Sequence, residues 1–136
     1  MTVSLTPDPA TLARFVADLD LLLPQDMRLG IAVSGGADSL ALLLLAAAAR
    51  PGMVEAATVD HGLRREARKE AAFVADVCAE LDLPHHILDA RVAPGASLQA
   101  QARTARYRVL GAWGIDCDLS AIASGHHADD QAETLL

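Results

Sequence analysis

The sequence predicts an α/β fold, a doubly wound parallel sheet, on the basis of three observations. Short apolar runs typical of buried strands alternate with longer stretches of helical periodicity. That alternation favours a parallel sheet with helices on both faces. Polar segments follow the predicted strands, and such sheets bind ligands beyond the carboxyl ends of their strands, where the strand order reverses. A strand order of 3-2-1-4 would bring the segments after the first and fourth strands to one crevice.

The elements follow in order from periodicity and turn signals. Asp8 and Pro9 fit the N-cap and first position of a leading helix, whose apolar side chains share one face as far as Leu23. The other predicted elements are a strand at about 29–33, a helix to Ala49, a strand at 54–59, a helix with an apolar stripe at 73–81, a strand at 85–88, a helix at 98–113 and a strand at 119–123.

The end of the chain predicts an incomplete domain. The polar segment after the fourth strand is typical of a helix start, so that the chain would stop at Leu136 one turn into a helix. The fourth strand would then have an open edge, which folded domains avoid. We therefore expect residues 1–136 to be one N-terminal nucleotide-binding domain, truncated after the fourth strand, of a longer protein.

The most informative segment joins the first strand to the helix that follows it, and reads Ser34-Gly35-Gly36-Ala37-Asp38-Ser39. The two glycines can take backbone angles that let main-chain N–H groups converge on one point. The start of the following helix favours an anion, and the serine hydroxyls add donors. Residues 34–39, called the phosphate segment below, therefore predict a phosphate site. The alternative is that the serines and Asp38 only cap a helix.

The carboxylate of Asp38 indicates a metal ion. A carboxylate next to a polyphosphate repels it unless a divalent cation lies between them. Asp38 therefore predicts Mg²⁺, and with it a nucleoside triphosphate or its pyrophosphate.

A second group of polar residues follows the fourth predicted strand, and comprises His126, His127, Asp129, Asp130 and Glu133. Its carboxylates could hold a cation or receive a substrate amine opposite the phosphate segment. Locally, Asp130 and Glu133 also fit a capping box at a helix start, which needs no function. Adjacent histidines beside acids can indicate a transition metal, but one short cluster without a distant ligand set is weak evidence.

Composition excludes several classes of protein. The longest apolar run, Leu40 to Ala49, is too short to cross a bilayer, and residues 1–9 lack the pattern of a secretory signal. The formal net charge of −7 does not support a nucleic-acid-binding surface within these residues, because such surfaces are usually basic. Cys78 and Cys117 form no CxxC pair. Two unclustered cysteines suit the reducing cytoplasm and argue against a structural zinc site. Both cysteines are therefore expected to be small core residues.

Four motifs together resemble the N-terminal domain of the tRNA(Ile)-lysidine synthases, from about Arg28 to Leu136. They are SGGADS at 34–39, VDHGLR at 59–64, ARTARY at 102–107 and GHHADDQAETL at 125–135. The first motif alone resembles the wider PP-loop ATP pyrophosphatases, which have an adenine-nucleotide alpha hydrolase-like fold. The other three narrow the resemblance to the synthases.

The resemblance implies a ligase that uses ATP and Mg²⁺. It would adenylate the wobble cytidine of an isoleucine tRNA with a CAU anticodon, release pyrophosphate, and let L-lysine displace AMP to leave lysidine. Most of the tRNA contacts would come from domains beyond this segment, so the segment alone is expected to be inactive and to bind ATP at most weakly.

The motifs also suggest roles for individual residues. Asp60 and His61 are expected to meet adenosine, or else only to end a strand. Arg106, preferred over Arg103, would stabilise charge on the α-phosphate; otherwise both belong to a solvated basic stripe. Asp130 and Glu133 are candidates to receive the lysine ammonium, and His126 or His127 could contact phosphate or assist proton transfer.

Two other functions compete with lysidine formation. A tRNA thiolation enzyme of the same fold would need cysteines that carry sulfur, and both cysteines lie outside the motifs. A nucleotide-binding sensor module would hold ATP without cleaving it, but it has no evident need for the acidic segment after the fourth strand.

Overall fold

The computed structural model describes residues 6–60, 65–91, 98–125 and 133–135, with only the backbone described at 65–66, 98–99 and 133–135. The elements are α1 (Pro9–Leu22), β1 (Leu29–Ala32), α2 (Ala37–Ala49), β2 (Val54–Asp60), α3 (Arg65–Glu80), β3 (His85–Asp89), α4 (Leu98–Asp116), β4 (Ala121–Ser124) and β5 (Glu133–Leu135). Within these residues no helix has the length and apolar character needed to cross a bilayer.

The strands form one sheet in the order β3-β2-β1-β4-β5. The first four are parallel, so the predicted fold class and the 3-2-1-4 order are confirmed. Because β1 pairs with both β2 and β4, the strand order reverses beside β1, and the carboxyl ends of β1 and β4 flank the crevice that the sequence predicts.

The helix predicted around Glu133 is wrong for residues 133–135. These residues form β5, which runs antiparallel to β4 with Glu133 opposite Ser124. The capping-box pattern is a local signal, whereas the outer edge of β4 presents unpaired backbone groups that a strand can satisfy. The edge expected to be open beyond β4 is therefore paired in this structure.

Helices cover both faces of the sheet. On one face, α1, α2 and α3 pack on β1 and β2 around side chains such as Ile31, Leu43, Val54 and Val74. On the other face, Leu110 and Trp113 of α4 pack on Ile122 and on the small side chains of Ala32 and Ala57. The few aromatic residues therefore suffice because alanines let the helices approach closely.

The C-terminal ends of α1 and α2 are joined by Arg50. Its side chain is buried, donates to Pro24 O at 2.9 Å and to Leu23 O, and pairs with Asp20 at 3.1 Å. Because these partners satisfy the buried guanidinium, α2 is anchored at the end that lies away from the glycine-rich segment.

Candidate functional site

The phosphate segment, residues 34–39, leaves the start of α2 without a side-chain cap. Gly36 is the N-cap residue, in an extended conformation with φ −74° and ψ 163°, and as a glycine it makes no side-chain cap hydrogen bond. The alternative in which the serines or Asp38 only cap the helix is therefore not what the structure shows. The first-turn N–H groups remain available to an anion.

Hydrogen bonds between serine side chains and the main chain shape this segment. The hydroxyl of Ser39, which is 2% exposed, donates to Gly36 O at 3.2 Å and accepts from Ser34 N at 3.1 Å. Ser34 Oγ lies 3.0 Å from Ser39 Oγ and accepts from Gly36 N at 3.3 Å. The hydroxyl of Ser39 therefore holds the segment in shape in addition to lining the crevice.

Gly35 has a backbone conformation that requires glycine. Its φ is +91°, and a Cβ there would lie 2.9 Å from the Cβ of Glu70 in α3. Because α3 packs against this turn, a side chain at position 35 would be strained both by its backbone angles and by contact. The packing of α3 at Glu70 therefore restricts the conformation of the turn at Gly35.

The phosphate segment opens onto a crevice of about 490 Å³. Its lining residues come from the end of β1, the start of α2, helix α4 and the residue after β4: Ala32, Ser34, Gly36, Ala37, Asp38, Ser39, Arg106 and Gly125. The polar segments after β1 and β4 therefore begin at the same crevice, as the strand order predicts.

Gly125 lies closer to the phosphate segment than the sequence indicates. A Cβ at this position would come within 3.3 Å of Asp38 O and of Ser39 Cα. The position of Gly125 directly after a strand is the signal that could have identified this close approach. Ala32 also lines the crevice, and its apolar side chain carries no sequence signal for that location.

The two arginines of the third motif have different environments. Arg106 is half-buried and lines the crevice beside the phosphate segment. Arg103 is exposed, and its guanidinium carbon lies 5.4 Å from the centre of the Tyr107 ring. Arg106 therefore lies at the crevice, whereas Arg103 is exposed and makes a cation–π contact with Tyr107.

The other candidate residues are less completely placed. Asp60 ends β2, in register with Asp89, and its side chain is not among those that line the crevice. His61 and Asp130 lie outside the described residues, as do His126, His127 and Asp129. Glu133 lies in β5, where only the backbone is described. The roles of these residues stay predictions.

The two cysteines have no place at the crevice. Cys78 is fully buried in the core, as expected, and burial raises the pKa of its thiol to about 11. Cys117 follows α4, lies beside Glu55 and is only partly buried, but it packs against the core cluster around Leu110 and Trp113, at the margin of the core. The Cys117 thiol therefore has a carboxylate neighbour in addition to apolar ones.

Similar proteins agree with the four motifs. The chain is 52% identical over 114 residues to a tRNA(Ile)-lysidine synthase of Zymomonas mobilis, covering 83% of this chain and 34% of the relative. It is 48% identical over 124 residues to that of Novosphingobium aromaticivorans, covering 91% and 38%. These relatives confirm the resemblance, and the chain spans about a third of their length.

Solved structures with low sequence identity share the fold. A U34-tRNA thiolase from Methanococcus maripaludis has a TM-score of 0.70 and 17% identity, covering 90% of this chain and 48% of the other. An NH3-dependent NAD synthetase from Campylobacter jejuni has a TM-score of 0.64 and 16% identity, covering 85% and 56%. Residues 7–136 match the PP-loop domain family, so the chain belongs to that family.

Proposed function

We propose that this chain is the nucleotide-binding part of a tRNA(Ile)-lysidine synthase, a cytoplasmic ligase. The enzyme adenylates the C2 oxygen of the wobble cytidine in isoleucine tRNA with a CAU anticodon and releases pyrophosphate. The lysine ε-amino group then attacks C2 and displaces AMP. The observation that carries the proposal is the uncapped start of α2 opening onto a crevice that Arg106 also lines. Relatives of about 50% identity support it.

The phosphate segment binds the β- and γ-phosphates of ATP in this proposal. Main-chain N–H groups in the first turn of α2 point their positive ends toward an anion at the helix start. Holding these two phosphates makes pyrophosphate the leaving group and leaves the α-phosphorus open to attack by the cytidine oxygen. The hydrogen bonds of Ser39 keep the donors in place before ATP arrives.

Asp38 fits a magnesium ion. Its side chain is exposed, lies in the first turn of α2 and lines the crevice. A carboxylate oxygen beside phosphate oxygens is the donor set that Mg²⁺ prefers. Asp38 would hold the ion, and the ion would supply charge that offsets the polyphosphate when bound.

Arg106 provides charge for the reaction centre. Its cation lines the same crevice as the phosphate donors, so it can stabilise negative charge that develops on the α-phosphate. Asp60 and His61 are assigned to adenosine because acidic residues after a second strand take that place in similar sheets.

The amine site is assigned to the segment that begins at Gly125. Asp130 and Glu133 receive the lysine ammonium, and one of these carboxylates or a nearby histidine takes its proton before attack. The close approach of Gly125 to Asp38 O supports a short path between this segment and the adenylate.

Labelled lysine tests the proposal in the natural protein that contains these residues. With ATP and transcribed isoleucine tRNA we expect ATP-dependent incorporation of lysine, with AMP and pyrophosphate as products. Arg106→Ala should lower kcat/KM by about 100-fold, as loss of one charge-stabilising donor does. Arg103→Ala is the matched control on the same helix and should retain nearly all activity, because its side chain is not at the crevice.

The competing functions have different products. Sulfur transfer that depends on a cysteine would replace the proposal with a thiolation enzyme. ATP binding without turnover would replace it with a sensor module. Equal losses in the two arginine variants would contradict the role of Arg106.

A further inference from the structure

Three side chains with metal-ligating atoms lie close together near the amino ends of β2 and β3, at the end of the sheet opposite the crevice. Glu55 is the second residue of β2, His86 is the second residue of β3, and Cys117 directly follows α4. One ligand atom from each lies within 4.8 Å of the other two. Because the crevice lies beyond the carboxyl ends of the strands, this cluster does not belong to the proposed nucleotide site.

The carboxylate of Glu55 is oriented by its neighbours. One oxygen, Oε2, accepts from Arg28, and the other, Oε1, lies 2.9 Å from His86 Nε2. Burial alone would raise the pKa of Glu55, but the hydrogen bond to His86 and the Arg28 guanidinium together lower it. The second carboxylate oxygen therefore faces the imidazole of His86.

The donor set suits zinc. A carboxylate oxygen, an imidazole nitrogen and a thiolate sulfur are the three kinds of protein ligand that zinc takes. Zinc lies about 2.0–2.3 Å from each such atom, so tetrahedral ligands are roughly 3.5 Å apart. Glu55 Oε1 and His86 Nε2, which lie 2.9 Å apart, need to separate slightly, and the Cys117 sulfur needs to approach them by about 1 Å at most; side-chain rotation can provide both movements.

The surroundings resemble those of a supported metal site. Ligating carboxylates are commonly held by an outer hydrogen-bond partner, and Arg28 already occupies that position on Glu55. The ring of Trp113, which is buried, lies 6.1 Å from the ring of His86 and limits solvent on that side. The glycine at position 30 allows this packing, because a Cβ there would lie 2.8 Å from the Trp113 ring.

We propose that Glu55, His86 and Cys117 form a Zn²⁺ site with a water molecule as the fourth ligand. The ion links the amino ends of β2 and β3 to the C-terminal end of α4, at the end of the sheet away from the crevice. The cysteine spacing argued against a structural zinc site, but the strand register brings these three residues together from distant parts of the sequence.

Binding moves two protons. The Cys117 thiol releases its proton to solvent and becomes the thiolate that zinc requires. The proton that His86 Nε2 shares with Glu55 moves to Nδ1, which leaves Nε2 free to bind the ion. The thiolate and the carboxylate then balance the charge of the zinc, and Arg28 remains on Oε2.

Metal titration of the purified, reduced chain tests the proposal. We expect one Zn²⁺ per chain, measured by competition with a chromogenic chelator, and a rise in Tm with added zinc. Co²⁺ should give a sulfur-to-metal absorption band. His86→Gln and Cys117→Ser should each weaken binding by at least about tenfold. His85→Gln is the matched control, because His85 faces the other side of β3 and its Nε2 lies 2.9 Å from Thr58 Oγ1.

Alkylation of the unaltered chain gives a second readout that needs no variant. Zinc should slow modification of Cys117 by about tenfold or more, since coordination removes the free thiolate. Cys78 is fully buried and serves as the internal reference. Absence of zinc binding, binding that His86→Gln and Cys117→Ser leave unchanged, or an unchanged alkylation rate would overturn the proposal. None of these outcomes bears on lysidine formation.

Discussion

Helices α1 and α2 both begin near an aspartate, but the two starts are built in opposite ways. At α1, Asp8 accepts from the backbone N and the hydroxyl of Thr11, both at 3.0 Å, and Pro9 removes one N–H that would lack a partner. At α2, Gly36 is the N-cap and makes no side-chain cap hydrogen bond, and Asp38 lines the crevice instead.

Under the proposed function, the same residue type serves stability at one helix and binding at the other. A side-chain cap satisfies the unpaired donors of a helix and stabilises the fold. A glycine start leaves those donors for a ligand and needs other contacts to hold the turn, which Ser39 and the packing of α3 on Gly35 supply. Substitutions at the two starts should therefore have separable effects.

The largest expected effect is on turnover. In the natural protein, Asp38→Ala should lower lysine incorporation by about 100-fold or more, because the polyphosphate loses its metal ligand, while Tm stays nearly constant. Asp8→Ala should lower Tm and leave incorporation unchanged, since its side chain only caps α1. Incorporation that survives Asp38→Ala would remove the magnesium role from this residue.

The two glycines of the phosphate segment should differ in stability. Gly35→Ala should reduce the free energy of unfolding by about 1–3 kcal/mol, because an L side chain is strained at positive φ and meets Glu70. Gly36→Ala should cost less than Gly35→Ala, since the φ of Gly36 is ordinary, only Ser34 Oγ lies near, at 3.5 Å, and the loss is limited to the preference of an N-cap for glycine over alanine. Urea unfolding measures both, and equal losses would contradict the assigned strain.

A smaller loss is expected from Ser39. Ser39→Ala removes the hydroxyl that accepts from Ser34 N and should reduce stability by about 1 kcal/mol, because a part-buried donor loses its partner. The loosened turn should also bind ATP less tightly. Ser120→Ala serves as the control, since its hydroxyl bonds only weakly to a methionine sulfur. A Ser39→Ala variant as stable as this control would show that the hydroxyl does not hold the segment.

The smallest effect concerns acid pH at the start of α1. The hydrogen bond from Thr11 N, followed by that from its hydroxyl, lowers the pKa of Asp8 below the usual value of 3.8. A lowered folded pKa stabilises the protein above the unfolded pKa, and the contribution is lost as pH falls through the folded value. The Tm difference between the unaltered chain and Asp8→Ala should therefore be constant near neutral pH and shrink below about 3.8. A difference that persists at pH 2 would contradict this.

Much of the fold could be predicted because its signals are local. The cap at Asp8, the strand-to-helix turn at Ser34–Ser39 and the alternation of apolar runs depend on neighbours in sequence. The error at Glu133 has the opposite origin, because pairing along the edge of β4 outweighed a local helix-start pattern. Open strand edges are a tertiary property that a short sequence window does not contain.

The candidate site was predictable to the same extent and for the same reason. The phosphate segment and Arg106 follow from motif and spacing, and both line the crevice. The close approach of Gly125 to α2 depends on the register of β1 with β4, which no periodicity reports. Glu55 and His86 lie 31 positions apart, and only the pairing of β2 with β3 brings them together.

The anchoring of Arg50 has a mechanical consequence for the crevice. Its guanidinium ties the far end of α2 to Asp20 and to the main chain at the end of α1, so α2 cannot slide along its own axis without breaking several buried bonds. The wall of the crevice that α2 forms is therefore anchored. We therefore expect that any widening of the crevice comes from the opposite wall, formed by α4 and the end of β4.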